Sequence, residues 1–188
     1  MIRAIMDTSS LLAIVRYYLP FDKEDQLKTL LQQKFESGEL IITDKVLQEC
    51  KQTAKGIVVE ELDFITAKPA LIAKTSDLLP GKKFHNMVDN QFCNKFLVKQ
   101  KGITEVEFEN EKGRFLASAD ASLILYALNL KSADAVVVTE ETKTANDGKI
   151  FKKIPDNCSS IGVNCMSLPN YLKDHIRLGT EHQFSLFS

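Results

Sequence analysis

The chain has 188 residues, of which 44% are hydrophobic and 26% charged, with a formal net charge of -1. This suits one domain with a sizeable core, and the near-zero charge excludes a broadly basic nucleic-acid coat while leaving room for a local basic groove. No apolar run approaches the ~20 residues needed to span a bilayer, and no basic stretch precedes a long apolar block at the N-terminus, so the expectation is a cytoplasmic chain without membrane association.

Taken in order, Ile2-Arg3-Ala4-Ile5-Met6 reads as a buried parallel strand, with Asp7 at its carboxyl end. Ser9 and Ser10 suit the cap of a helix carrying Leu11, Leu12, Val15 and Leu19 on one stripe and ended by Pro20. A second helix is expected over Lys23 to Glu36, closed by Ser37-Gly38. Leu40 to Thr43 is a short buried strand, and Asp44 is placed to cap a helix from Lys45 to about Thr53, with Val46, Leu47 and Cys50 inward. Residues 57 to 101 read as extra helices in series, over Val59 to Ala67, Pro69 to Leu79 and Met87 to Lys99, with a break at Pro80-Gly81. Residues 103 to 112 alternate too weakly to assign. Ala119 to Leu128 is a strong helix start, and Ala135 to Thr139 is an apolar strand ending in Glu140-Glu141. A turn signal at Asn146-Asp147-Gly148 and the segments Ile154-Pro155 and Ile161-Gly162-Val163 lead to a last strand. A helix over Leu168 to His175 follows, and residues 179–188 read as a tail after one domain spanning 1–178. Strands separated by helices argue for a parallel α/β sheet covered on both faces.

The four cysteines, Cys50, Cys93, Cys158 and Cys165, form no CxxC pair, and His85, His175 and His182 are scattered, so reduced thiols are expected rather than a zinc site. Neither GxGxxG nor GxxxxGK[ST] is present, which removes the main support for dinucleotide or P-loop binding.

The chemistry lies in the carboxylates. Asp7 follows the first strand, Glu49 lies in the helix after the second, Asp120 opens a helix, and Glu140 and Glu141 end the third strand. Taken singly, Asp120 suits a helix start, Glu49 a solvated face and Glu140-Glu141 an exposed loop; Asp7 at a buried strand end needs a partner. Taken together, they can meet at one edge of a parallel sheet. Gathered carboxylates repel, and Mg²⁺ or Mn²⁺ with oxygen ligands would remove that penalty. Such ions can also activate water against a phosphodiester.

Four segments then carry a family resemblance across nearly the whole chain: Met6-Asp7-Thr8-Ser9-Ser10-Leu11, Ile42-Thr43-Asp44-Lys45-Val46-Leu47-Gln48-Glu49, Ala119-Asp120-Ala121-Ser122-Leu123-Ile124 and Val137-Val138-Thr139-Glu140-Glu141. Their order resembles that of PIN domains, the nuclease fold of VapC-type toxins. The chain is most similar to a longer PIN-like branch with a Thr-Glu-Glu strand end and a Lys-Ile-Pro segment, here Lys153-Ile154-Pro155. One departure is Glu141, which stands where the family usually has Asp, one methylene shorter.

The resemblance implies a three-layer α/β/α fold with a central parallel sheet of about four or five strands. It also implies a metal-dependent endoribonuclease that leaves a 5′-phosphate and a 3′-hydroxyl, acting as the toxin of a toxin–antitoxin pair. Asp7, Glu49, Asp120 and Glu141 would hold Mg²⁺ or Mn²⁺, with Glu140 as a substitute and Thr8 and Thr139 orienting carboxylates or water. RNA, a cognate antitoxin and a second copy of the chain are the implied partners.

Cations for RNA are sought at Arg16, Lys51, Lys55, Lys95, Lys99 and Arg114, with Lys82-Lys83 and Lys112 as further options. Tyr17, Tyr18 and Phe21 are candidates for stacking on bases or packing against a partner. Two other readings compete. One is a catalytically weak PIN scaffold that binds RNA or protein. The other is an Asp-start phosphohydrolase, disfavoured because Ser9 stands where a second Asp would be needed.

Overall fold

The computed structural model describes residues 2–75, 78–130, 135–143 and 148–176. The Asn146-Asp147 part of the turn signal and the 179–188 segment lie outside these residues.

Among the described residues, four parallel strands form one sheet: β1 (Arg3–Met6), β2 (Leu40–Ile41), β3 (Ala135–Val138) and β4 (Asn164–Met166), in the order β2-β1-β3-β4. Ala4 and Ile5 pair with Leu40 and Ile41, Arg3 to Met6 with Ala135 to Val138, and Val136 to Val138 with Asn164 to Met166. Helices flank the sheet, giving the expected α/β architecture. The two central strands are apolar on both faces, and Ala4, Ile5, Met6 and Ala135 to Val138 are buried. From β1 the chain goes outward to β2, then returns past β1 to β3. The neighbouring carboxyl ends of β1 and β3 are therefore the switch point of the sheet, where open α/β sheets leave a ligand crevice.

The helices differ from the sequence expectation in instructive places. Helix α1 (Thr8–Ala13) is capped by Asp7, whose side chain accepts from the Ser9 N–H; Ser9 and Ser10 lie inside the helix instead of capping it. It runs on through a π-helical turn (Ile14–Tyr18) into a 3₁₀ turn (Leu19–Phe21) that contains Pro20. Helix α2 (Gln26–Glu36) starts three residues later than expected because Glu24 and Asp25 adopt φ of 61° and 53°. The Asp22 carboxylate instead takes the Leu27 and Lys28 N–H groups, both at 2.9 Å. Helix α3 (Asp44–Gln52) is capped by Thr43, not by Asp44.

The segment after α3 holds α4 (Ile57–Glu61) and α5 (Phe64–Ala67), but the described residues of the expected Pro69 to Leu79 helix form no α-helix. Pro69–Leu71 is a single 3₁₀ turn, and the chain then extends beside the sheet edge, where the Ala73 N–H donates to Ile42 O and Ala73 O accepts from the Asp44 N–H. Thr75 is tied to the Asp44 carboxylate through its N–H and hydroxyl. This pairing covers the edge beyond β2.

The expected helix from Met87 to Lys99 is broken. Helix α6 (Lys82–Met87) and a π-helical turn (Val88–Phe92) end at Cys93, which bridges to Phe151. The Asn94 side chain then caps α7 (Lys95–Gln100). The weakly alternating stretch is α8 (Glu105–Ala117), opened by a capping box between Thr104 and Glu107. Thr104→Ala is expected to lower stability by about 1 kcal/mol, read from the urea midpoint.

Helix α9 (Ala119–Asn129) is capped by the Ser118 hydroxyl. Ile154–Ile161, expected only as a path to the last strand, is helix α10, and α11 (Leu168–His175) matches the sequence reading. No helix among the described residues is long and apolar enough to cross a membrane.

Candidate metal centre

Asp7 leaves β1 at the switch point. Its N–H continues the pairing with Val138 O at 3.0 Å, so the sheet fixes the backbone from which the carboxylate projects. The side chain is 5% exposed, too buried for a charge without partners. Two hydroxyls supply them: Ser9 Oγ donates to Asp7 Oδ2 at 2.5 Å and Thr139 Oγ1 at 2.9 Å. These hydroxyls are held in turn. Ser9 Oγ accepts from the Glu140 N–H at 3.0 Å, and Thr139 Oγ1 from the Glu141 N–H at 3.1 Å. The end of β3 is thereby clamped to the start of α1 through Asp7.

Glu49 lies on α3, and its Oε2 accepts from the buried Thr8 hydroxyl at 2.6 Å. This bond joins α1 to α3 across 41 residues and turns Glu49 toward the switch point. Asp120 occupies the second position of α9, where the helix dipole favours a negative charge. Its pKa is nevertheless pushed up to about 7, first by burial and then by the charges of Asp7, Glu141 and Glu49, with Lys149 pulling the other way. Asp120 therefore lies within electrostatic range of three other carboxylates, those of Asp7, Glu49 and Glu141.

The two glutamates after β3 part company. Glu141 Oε2 accepts from the Ile154 N–H at 2.9 Å, the first helical N–H of α10, while remaining within electrostatic range of Asp120. Glu140 Oε1 accepts from the Leu168 N–H at 2.7 Å, at the start of α11. Its charge raises the Tyr18 phenol, behind the effect of burial. Glu140 is thus engaged in holding α11, and it is not among the charges that raise Asp120.

All these donors are oxygens, the set that suits a hard divalent cation, and their mutual repulsion is the penalty such an ion relieves. Among the described residues, no group of three or more His, Cys, Asp and Glu side chains is close enough to cage an ion. Asp7, Glu49 and Glu141 each have an oxygen turned to a hydroxyl or an amide of the chain itself. Donor chemistry and charge fit a divalent ion, and holding one would require these side chains to leave their present partners. Because Thr8 and Thr139 aim two of the carboxylates, Thr8→Val and Thr139→Val are each expected to weaken Mn²⁺ affinity roughly 10–100-fold, measured by calorimetric titration.

Two cavities open beside the cluster, and Glu141 lines both. The wider, about 620 Å³, has Asp120 and Glu141 on one side, Phe115 and Phe151 as an apolar wall, and Lys101, Arg114, Lys149, Lys152 and Lys153 around it. The other, about 310 Å³, lies past Thr139 and carries Lys143 and Cys165. Of the cations expected from the sequence, only Arg114 lines the wider cavity, and its guanidinium is paired with Glu111 at 2.6 Å. Arg16, Lys51, Lys55, Lys95 and Lys99 are exposed and line neither cavity. Lys112, another option, is bound to Asp89 at 2.6 Å. Tyr17 and Phe21 are exposed on the segment after α1.

The Lys149 to Lys153 stretch, to which the sequence reading assigns no role, lines the wider cavity. It is anchored by Cys93 pairing with Phe151 and by the buried Asn157 amide, which donates to Lys152 O at 2.8 Å. A Lys-rich hexapeptide ahead of Ile154-Pro155 was the available signal.

The cysteines are free thiols, with Cys50, Cys93 and Cys158 buried and Cys165 half-buried. Burial pushes the Cys50 thiol up to about 12, which keeps it protonated beside the carboxylates.

No curated protein matches this chain. A family model described as a domain of unknown function, DUF4411, matches residues 5–177, a span that holds all four clustered carboxylates and runs from within β1 past the end of α11, and the chain belongs to that family.

Proposed function

We propose that the protein is a metal-dependent endoribonuclease whose centre is Asp7, Glu49, Asp120 and Glu141. The observation that carries this reading is the convergence on Asp120, whose carboxyl is raised to about 7 by burial and by the other three charges at the switch point. Such a concentration of carboxylates at a ligand crevice is costly in a stable fold and useful around a cation. The PIN resemblance of the four segments supplies the reaction class, and the cationic cavity beside Asp120 supplies a surface for a polyanion.

In this reading Asp7 and Asp120 are the inner ligands, because one is buried and held by two hydroxyls and the other faces the cavity. Glu49 and Glu141 reach the ion from the flanks. When bound, Mg²⁺ or Mn²⁺ would supply charge neutralisation and water activation. The chain's own residues hold the carboxylates in place, fix Asp7 through Ser9 and Thr139, and keep the phosphodiester near the cluster through the lysines. The assay is cleavage of an RNA panel with Mn²⁺, with 5′-phosphate ends on the products. Failure of the purified protein to cut any member, with either metal, counts against the proposal.

A toxin–antitoxin role, with a cognate antitoxin as partner, follows from the resemblance and is part of the proposal. Its test is growth arrest on induction of the chain and none on induction of Asp7→Asn. One observation favours a second reading, a catalytically weak scaffold that binds RNA or protein: Glu141, already longer than the usual Asp, has its carboxylate engaged at the N-terminus of α10. Glu141→Asp separates the two. Higher Mn²⁺-dependent activity supports a nuclease tuned down by Glu, whereas RNA binding without cleavage in both forms supports the scaffold.

A further inference from the structure

Two of the cysteines meet beside the carboxylates, and the proposed reaction uses neither. Cys158 is on α10 and fully buried, and Cys165 is in the middle of β4 and half-buried. The backbone brings them together. Gly162, at φ 72°, ends α10 in the left-handed conformation that glycine adopts freely, and the chain turns straight back into β4. The Val163 N–H donates to Cys158 O at 3.0 Å, and the period of two along a strand puts Cys165 on the same side as Val163. The two thiols hydrogen-bond to each other, with Cys158 as the donor. Cys165 lines the cavity of about 310 Å³ together with Ser159, the α10 neighbour of Cys158, and with Thr139 and Glu141.

The elements that carry these thiols also hold the acidic centre. Ile154, whose N–H is bound by Glu141 at 2.9 Å, lies one helical turn before Cys158. Met166, next to Cys165, accepts the Thr139 N–H at 3.1 Å, and Thr139 donates to Asp7.

We propose that Cys158 and Cys165 are an oxidative modification site, closed by peroxide into an intramolecular disulfide that weakens cation binding at the neighbouring carboxylates. The consequence rests on the metal-centre reading; the bridge itself does not. Cys165, reached through the cavity, attacks one oxygen of hydrogen peroxide. An S–O bond forms, the O–O bond breaks, and the leaving hydroxide takes the thiol proton as water. The Cys158 sulfur then attacks the sulfenic sulfur. The S–S bond forms, the S–O bond breaks, and the second hydroxide leaves as water with the Cys158 proton. Each sulfur loses one electron and peroxide gains two. The hydrogen bond from Cys158 lowers the Cys165 thiol, against burial and the charges of Asp7 and Glu141, which favours the accessible sulfur as nucleophile. A covalent bond holds two sulfurs closer than a hydrogen bond does, so closure draws α10 and β4 together. β4 is fixed by its ladder to β3, so α10 moves and carries the Ile154 N–H away from its present place against Glu141.

The full wild-type chain, reduced and freed of reductant, is treated with a small excess of hydrogen peroxide, then alkylated with N-ethylmaleimide under denaturing conditions and mapped by mass spectrometry. The expected product links Cys158 to Cys165 and leaves Cys50 and Cys93, both buried, alkylated. After removal of peroxide, calorimetric titration should show Mn²⁺ affinity about tenfold weaker than in the reduced chain, restored by dithiothreitol. Cys165→Ser, which cannot form the bridge, should keep its affinity through the same treatment. Circular dichroism confirms the fold of this variant, and the mapping of the wild-type chain needs no variant.

Peroxide that leaves both thiols open to alkylation overturns the proposal, as does a bridge from either of them to Cys50 or Cys93. A Cys158–Cys165 bridge with unchanged Mn²⁺ affinity, or an equal loss in Cys165→Ser, overturns the coupling to the carboxylates. The metal centre fails separately. A reduced chain that forms the bridge but binds no Mn²⁺ sinks that reading, and the weakening with it, and leaves the oxidation site standing.

Discussion

Asp7→Asn should reduce Mn²⁺-dependent RNA cleavage by more than the roughly 10–100-fold that loss of a supporting hydroxyl costs, and by about a thousandfold where Asp7 is an inner ligand. The substitution keeps volume and hydrogen-bonding capacity, so Ser9 and Thr139 still have a carbonyl oxygen to donate to. The negative charge and one anionic ligand are lost. The loss should fall on kcat with little change in RNA affinity, because the substitution leaves the lysines that line the wider cavity in place. Excess Mn²⁺ should restore part of the rate if affinity for the ion is what was lost. Asp120→Asn should behave alike. A cleavage rate within a fewfold of wild type for either variant would place the chemistry elsewhere.

The second large effect is on stability, and its sign is opposite. The carboxyl of Asp120 titrates near 7 in the fold and near 3.8 when unperturbed, so the fold favours its protonated form. A raised carboxyl pKa contributes stability that is fully present below about 4 and is lost as pH rises through 7. The chain should therefore lose stability between roughly pH 4 and pH 7 on account of this residue, by an amount on the order of a few kcal/mol. Asp120→Asn, fixed in a neutral form, should be more stable than wild type at pH 8 and should unfold with a weaker pH dependence across that window. Mn²⁺ at about 100 times its dissociation constant should recover ~2.7 kcal/mol for the wild-type chain and less for Asp120→Asn. Thermal melts at pH 5 and pH 8, with and without the ion, measure all three. A stabilised, inactive Asp120→Asn is the signature of a residue kept for function at the expense of the fold.

The parts of this arrangement that were legible in the sequence are those set by periodicity and strand ends. Met6-Asp7 and Val138-Thr139 carry an abrupt change from buried apolar to polar, and a parallel sheet puts both changes on one edge. The Ala119 helix start and the Lys45 helix were likewise clear from their apolar faces. The middle of the chain was not, because its helices are short and are ended by tertiary contacts. Cys93 leaves a helical run to pair with Phe151, and Ile72 to Thr75 extend to pair with Ile42 and Asp44 where local composition suggests helix. These pairings join residues 29 to 58 positions apart, beyond the reach of a local pattern.

Helix α8 carried a legible signal, Thr104-x-x-Glu107, that weak alternation in Ile103, Val106 and Phe108 masked. The resemblance puts Glu141 at the centre with Glu140 as a substitute, but local pattern gives no physical reason for the choice. Only the positions of α10 and α11 decide that one carboxylate faces Asp120 and the other caps Leu168. Of the cations expected for RNA, Arg114 lines the wider cavity, while Arg16, Lys51, Lys55, Lys95 and Lys99 line neither cavity. Lys51 lies on α3 with Glu49, but Lys55 falls beyond that helix at φ 59°, and Lys95 and Lys99 lie on α7, so helical spacing did not say which face borders the cavities.

Anomalous diffraction from a crystal of the full chain soaked in Mn²⁺ tests the central claim most directly. The account predicts a manganese peak within coordination distance of both Asp7 and Asp120, with Glu49 or Glu141 rotated off its hydroxyl or amide partner toward the ion. A well-ordered soaked crystal with no peak at the carboxyl ends of β1 and β3, or with manganese only at other carboxylates, would contradict it.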